Sequence, residues 1–264
     1  MARVLILSSW VAHGHVGAAA GAPALQALGH TVTVLPTTLL SNHPGWPHVG
    51  GRAVSVDEIS GLADGLAANG WLSGHDALLV GYLPSAGHVA FAAQLARRAR
   101  PGRVVVDPIL GDAPAGLYLP RDAADAIRDR LLPVADILTP NAFELGWLTG
   151  RPVTTPAEIA GAAGAIAGPG RVLVTSVPGA PGETGVMEVP GARLWRMPWR
   201  DGVPHGPGDV FAALVAAGHD VSAALGRLQA LVEASLGADH LRIAERAADW
   251  TVAPPLAPVP QQQG

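Results

Sequence analysis

The sequence predicts an α/β fold, a three-layer αβα sandwich around a mostly parallel sheet with an antiparallel edge. Two observations lead there. Short apolar runs recur at 4–7, 32–35, 77–80, 104–106, 136–138 and 172–174, mostly separated by segments of helical period, the alternation of a parallel sheet covered on both faces. After the sixth run the pattern changes to 185–189 and 193–197, joined by Pro190-Gly191-Ala192, which reads as a hairpin at the sheet edge.

Taken in order, the first run Val4-Leu5-Ile6-Leu7 is too short for a signal peptide and lacks the usual n-region and cleavage site, so it reads as a buried first strand. Helical period follows at 17–28, 56–68, 85–98, 121–131, 141–148, 156–166, 208–217 and 221–236, with Gly, Pro or capping residues at the ends. Residues 41–48, polar, aromatic and proline-rich, form a loop leaving the second strand, at the end of a strand where ligands bind in such sheets. Residues 1–252 make one domain, and the Pro- and Gln-rich segment 253–264 is expected to be a mobile tail.

Composition narrows the function. The chain has 264 residues, 49% of them hydrophobic, enough for a sizeable core. Its net charge is −4 with basic residues scattered, which argues against nucleic-acid partners. All 17 basic residues are Arg, and the absence of Lys excludes a Walker-type phosphate loop and a Schiff-base lysine. With no Cys there is no disulfide or thiolate chemistry, in keeping with a cytoplasmic setting, and no run reaches the roughly 20 apolar residues of a membrane span.

The stretch His205-Gly206-Pro207-Gly208-Asp209 opens directly into a small-residue helix. Glycines let backbone approach a ligand, and the free amides of a helix start favour an anion. Asp209 is therefore either a base beside a phosphate or an ordinary helix N-cap. Two further clusters follow strands: Asp107-Pro108-Ile109-Leu110-Gly111-Asp112 and Thr139-Pro140-Asn141-Ala142-Phe143-Glu144. Strand ends of a parallel sheet share one rim, so Asp107, Asp112, Glu144 and Asp209 are expected to meet there, where a hard cation such as Mg²⁺ relieves their repulsion. Singly, Asp-Pro also reads as a turn and Asn141-x-x-Glu144 as a capping box. The turn around Gly14 and Gly17 misses the dinucleotide fingerprint, and His13, His15, His43 and His48 match no metal-site spacing, which argues against nicotinamide binding and against transition-metal catalysis.

Together these motifs resemble the pyridoxal kinases of the ribokinase-like superfamily. The likeness runs from Ser9-Trp10-Val11-Ala12-His13-Gly14-His15-Val16-Gly17 through Leu40-Ser41-Asn42-His43, Val80-Gly81-Tyr82, the two carboxylate clusters, Leu117-Tyr118-Leu119-Pro120 and Val174-Thr175-Ser176 to Gly206-Pro207-Gly208-Asp209. The resemblance implies an ATP-dependent kinase of the vitamer 5′-hydroxyl, with Asp209 as base and the amides of Gly206 to Asp209 as the anion hole. It implies Asp107, Asp112 and Glu144 around Mg²⁺, with Asn141 helping to organise the ion and its waters. Tyr118, Thr139, Thr175 and Ser176 fall on the nucleotide side, some of them near a K⁺ or Na⁺ ion, and Ser9, Val16, His43 and Tyr82 fall on the vitamer side. It also implies a homodimer. Departures are Pro207 in place of the common Thr, Pro44 after Ser-Asn-His, Trp10 for a common His, Leu40 for a common aromatic, and a short interval from Ser176 to His205. A vitamer-binding homologue with little turnover, and a kinase for another hydroxymethyl heterocycle or a sugar, are the alternatives.

Overall fold

The computed structural model describes residues 1–260. Its main sheet has nine strands in the order β11-β10-β9-β8-β5-β4-β1-β2-β3. Six are parallel: β1 (Arg3–Val11), β2 (Thr31–Leu40), β4 (Ala77–Val80), β5 (Val104–Val106), β8 (Ile137–Leu138) and β9 (Arg171–Val174). The expected antiparallel edge is β10 (Glu183–Val189) with β11 (Arg193–Pro198), and β3 (Gly51–Ala53) adds an antiparallel strand at the opposite edge. β3 was not foreseen, because three exposed residues carry no apolar alternation. A separate two-stranded hairpin pairs β6 (Gly111–Asp112) with β7 (Gly116–Leu117), also too short to leave a periodic signal.

Helices cover both faces. On one side α1 (Ala18–Ala27), α7 (Pro207–Ala216), α8 (Val221–Ser235) and α9 (Ala247–Trp250) pack around Val4, Ile6, Leu173 and Phe211. On the other, α2 (Val56–Ala68), α3 (Ala86–Ala99), α4 (Arg121–Ala126), α5 (Ala142–Thr149) and α6 (Pro156–Gly164) enclose Leu5, Leu7, Leu78, Val106 and Leu138. Alternate residues of β1 thus serve opposite cores, as a strand buried on both faces requires. The segment read as one helix over 121–131 changes at Ile127 to a π-helical turn ending at Leu131. No helix among the described residues is long and apolar enough to cross a membrane.

α7 is deeply enclosed, with Val210 through Ala216 all buried. Its neighbour α1 is mostly Ala and Gly, and at Gly21 a Cβ would stand 3.2 Å from the Ala213 Cβ. Small residues let the two helix backbones close in. Strands β1 and β4 sit side by side where the chain reverses its direction of winding, so their carboxyl ends open the crevice in which such sheets bind ligands.

Residues 253–260, expected as part of a mobile tail, make backbone contacts with the domain. Leu256 N–H donates to Ser222 O at 2.9 Å and Val259 N–H to Leu194 O at 2.7 Å, so the segment lies along α8 and lends a donor to the edge strand β11. Prolines prevent it from forming a helix or a regular strand, but an isolated carbonyl on α8 or β11 still accepts from it. Residues 261–264 of the expected tail lie outside the described residues.

This contact can be tested by the sign of one substitution. Gly226 lies within α8, and a Cβ there would collide with Pro254 O. On a bare helix face Gly226→Ala would gain about 1 kcal/mol of helix propensity. Against the docked segment it is expected to lose about 1–3 kcal/mol by overpacking, measured by urea unfolding. A net gain in stability would show that the segment is not held there.

Candidate active site

At the rim of the sheet, the turn after β5 brings Asp107 beside the turn after β8. Thr139 Oγ1 donates to Asp107 Oδ1 at 2.9 Å, fixing one carboxylate oxygen. Asn141 caps α5 and forms the expected capping box with Glu144: Asn141 Oδ1 accepts from Glu144 N–H at 2.9 Å, while Glu144 Oε2 accepts from Asn141 N–H at 2.7 Å. The cap does more than end a helix. Leu110 N–H donates to Glu144 Oε1 at 3.0 Å and Asn141 Nδ2 donates to Gly111 O at 2.9 Å, so the pair ties α5 to the stretch after β5.

Burial dominates the electrostatics. Glu144 is 4% exposed, and desolvation pushes its carboxyl up to about 8 despite the backbone amides that oppose the shift. Asp107 is driven well above the usual carboxylate range, first by desolvation and then by the charges of Glu144 and Asp209. Asp112 belongs to the β6–β7 hairpin, is exposed, and acts on Glu144 as a nearby like charge. The Tyr118 hydroxyl donates to Asp112; desolvation, then this bond, raises its titration.

Asp209 stands in the first turn of α7, whose N-cap is Gly206. The N-cap alternative for Asp209 is thereby set aside: the carboxylate is three positions into the helix, partly buried, and faces the amides of Gly17 and of Asp209 itself. Desolvation lifts its pKa to about 6, against the pull of those two amides. Gly206 has φ 112°, and a Cβ there would collide with His15 O. Gly17 has φ 58°, with Ser9 against the place a Cβ would take. Both positions need glycine for backbone angle and for space at once. Pro207 occupies the first helical position, where its missing N–H has no intrahelical partner.

The residues expected on the vitamer side divide. Ser9 and Val16 flank the turn that delivers Gly17 to Asp209. Tyr82 is held through its backbone: its N–H donates to Ser8 Oγ at 3.1 Å and its carbonyl accepts from the buried Thr37 Oγ1 at 2.7 Å. His43 stacks on His205 with ring centroids 3.7 Å apart, and both line a small cavity with Val16. Desolvation, then the neighbouring His205, lowers His43 to about 4, so the pair is neutral on the His43 side near pH 7. The pairing with His205 was missed because the two are remote in sequence, although His205 stands directly before the glycine-rich start of α7.

A cleft of about 430 Å³ opens on the other flank of the α7 start. Of the expected nucleotide-side residues, Thr175, Ser176 and Gly208 line it, together with Pro207. Asp107, Tyr118, Thr139, Asn141 and Gly206 do not; the first four gather at the rim by the hairpin, and Gly206 is the N-cap of α7. The apolar walls are Val186, Met197, Val203, Phe211 and Val232, with Trp199 at 58% exposure beside them. Sequence reading missed these walls, since an apolar residue lining a cleft has the same pattern as one in the core. The exposed Trp199, in a link between a strand and a helix, was the available signal.

Residues 72–246 match the phosphomethylpyrimidine kinase family. Over 223 residues the chain is 38% identical to a pyridoxal kinase of Corynebacterium diphtheriae, covering 80% of this chain and 79% of that one. It belongs to the pyridoxal kinase family. A pyridoxine/pyridoxal/pyridoxamine kinase of Bordetella avium is 38% identical over 243 residues, 88% of this chain and 81% of the relative. Among solved structures, pyridoxal kinase from Entamoeba histolytica superposes with a TM-score of 0.88 at 26% identity, over 98% of this chain and 100% of that one. Pyridoxal kinase from Leishmania donovani in complex with ADP and pyridoxine gives 0.85 at 29% identity, over 98% and 99%. The fold is thus that of the ribokinase-like pyridoxal kinases, and the chain is a kinase.

The pKa shift of Asp209 sets a pH test. A folded-state pKa near 6, above the unfolded value of 3.8, means that the folded chain holds this proton more tightly. The associated stability is full below about 3.8 and is lost as pH rises through about 6. Asp209→Asn removes that term. The variant is expected to be more stable than the wild type at pH 7.5 and to match it more closely at pH 4, read from thermal unfolding. A variant less stable at pH 7.5 would show that the buried charge is compensated.

Proposed function

We propose that this kinase transfers the γ-phosphate of ATP to the 5′-hydroxyl of pyridoxal, and of pyridoxine and pyridoxamine, giving the 5′-phosphates in vitamin B6 salvage. The observation that carries this reading is the position of Asp209. Its carboxylate lies between the turn bearing Ser9, Val16 and Gly17 and the amides that start α7, and shares a field with Asp107. On one side is the vitamer-side group of residues, on the other the 430 Å³ cleft with Thr175, Ser176 and Gly208 for the nucleotide.

The chemistry follows from that placement. Asp209 accepts the hydroxyl proton as the substrate oxygen attacks the γ-phosphorus; the bond to the leaving oxygen of ADP breaks and the proton stays on Asp209. A pKa of about 6 leaves the group ionised near pH 7 yet more basic than an ordinary carboxylate. The amides of Gly206, Gly208 and Asp209 face charge that develops on the transferred phosphoryl group, while Pro207 contributes none. His43, with its His205 partner, and Tyr82 give the ring apolar and aromatic surface.

The rim fits a hard divalent cation. Burial, and for Asp107 the neighbouring Glu144 and Asp209 as well, raises the titration of both Asp107 and Glu144, a setting that a counter-ion would relieve, and Thr139 engages only one oxygen of Asp107. Asp107, with Glu144 and Asp112, would hold Mg²⁺ directly or through its waters, and Asn141 would keep Glu144 in place. When bound, Mg²⁺ neutralises phosphate charge. A homodimer fits the unpaired edge at β3, near which Trp10, Leu39 and Val49 are exposed. A cytoplasmic setting fits a chain without Cys.

A second reading, phosphorylation of a hydroxymethylpyrimidine, is favoured by the family matched over 72–246. Rates measured side by side with pyridoxal, hydroxymethylpyrimidine and ribose separate the two. Pyridoxal is expected to be fastest, and a faster pyrimidine would replace the assignment. Asp209→Ala is expected to lower kcat about 10²–10⁴-fold with the vitamer KM little changed. Turnover at the wild-type rate would remove Asp209 from the role of base. Pro207→Ala restores an amide to the anion hole and is expected to raise kcat several-fold, within the roughly 10² that one such donor contributes. An unchanged rate would place that amide away from the phosphate.

A further inference from the structure

A group of side chains away from the carboxylate rim, lining the same small cavity as Val16, His43 and His205, has the composition of a metal site. Asp239 sits between two imidazoles: His13 Nε2 is 3.3 Å from Asp239 Oδ2, and His240 Nδ1 is 2.6 Å from Asp239 Oδ1. One ligand atom from each of the three falls within 4.8 Å of the others. Bonds of about 2.0–2.1 Å in tetrahedral geometry place ligand atoms about 3.3 Å apart, so small rotations would bring the three into a first shell. The far nitrogen of His240 is already oriented, with Nε2 2.8 Å from Glu245 Oε1, the carboxylate–imidazole arrangement that sets the tautomer of a metal-bound histidine.

A third imidazole borders the cluster without belonging to it. His15 stands against His240 with ring centroids 5.3 Å apart and lines the same small cavity, and its buried Nδ1 has no hydrogen-bond partner. The three candidate ligands are accessible to an ion from solvent, with side-chain exposures of 61% for His13, 52% for Asp239 and 26% for His240.

We propose that His13, Asp239 and His240 bind a borderline divalent transition ion, for which Zn²⁺ is the best match, with Glu245 orienting His240 and solvent completing the shell. Two imidazoles and one carboxylate suit zinc, whereas Mg²⁺ takes an oxygen shell and keeps its waters. The ion would tie the turn after β1 to the segment after α8. That turn continues through His15, whose carbonyl abuts Gly206, to Gly17, whose amide faces Asp209. The site is thus separate from the carboxylate rim and linked by backbone to the start of α7.

The test is Zn²⁺ titration of the untagged full chain by calorimetry, with Mg²⁺ in excess to occupy the rim. The expected result is one Zn²⁺ per chain, abolished in His13→Gln and in His240→Gln and weakened about tenfold or more in Glu245→Gln. Asp107→Asn and His48→Gln are expected to keep the wild-type affinity. Far-ultraviolet circular dichroism checks that each variant folds, and the exposure of His13 makes that variant the safest. Co²⁺ titration supplies an independent readout, with the absorption of a low-coordinate ion expected in the wild type and lost with His13→Gln. Absence of binding at micromolar Zn²⁺, binding that survives both histidine variants, or binding lost with Asp107→Asn would each overturn the assignment.

Discussion

The site depends on backbone meeting backbone at positions where no side chain fits. Gly206 closes on His15 O, Gly17 closes on Ser9, and Gly21 lets α1 approach α7 at Ala213. These approaches bring the turn after β1 to the first turn of α7, so that the Gly17 amide reaches the Asp209 carboxylate. A methyl group at Gly206 or Gly17 would push that turn away and separate the Asp209 carboxylate from Ser9 and Val16. The two positions also carry positive φ, so space and backbone angle select glycine independently.

Charge is handled by the same economy of parts. Glu144 is held by the Leu110 and Asn141 amides, one on each oxygen, while its side chain is almost fully enclosed. It therefore acts as a fixed post, joining α5 to the turn that carries Asp107. Raising its pKa from 4.5 to about 8 costs about 3 kcal/mol of stability at neutral pH. Burying a side chain such as Phe211 or Leu214 contributes about 1.5–3 kcal/mol each. The packing of α7, which has four such side chains fully buried at Val210, Phe211, Leu214 and Val215, is large enough to offset this.

Much of this was legible in sequence because it is local. The six parallel strands are continuous apolar runs, and the edge hairpin is announced by Pro190-Gly191. Asn141 and Glu144 are three residues apart, so one spacing encodes both a capping box and a link in the site. The residues that escaped are those whose meaning comes from a distant partner. His43 and His205 stack across the chain, β3 exists only because β2 is beside it, and Met197, Val203 and Val232 line a cleft instead of a core. The carboxyl-terminal segment escaped for a related reason. Proline content excludes regular structure, but it does not exclude single hydrogen bonds to Ser222 and Leu194.

The Asn141–Glu144 pair also shows why the cap and catalytic readings of a motif need not compete. The capping box engages one Glu144 oxygen through the Asn141 amide and the Leu110 amide engages the other, so the cap and the link to the turn after β5 share one side chain. Asp107 is raised first by its own burial and then by this neighbouring carboxyl, and it keeps an oxygen that Thr139 does not engage. Asp209 reaches the same outcome without being a cap, because Gly206 takes that position and Pro207 supplies a first residue needing no partner. The N-cap position is thus filled without the Asp209 side chain. Its carboxylate meets its own amide in the first turn of α7 and the Gly17 amide of the turn after β1, so one group joins the helix start to that turn.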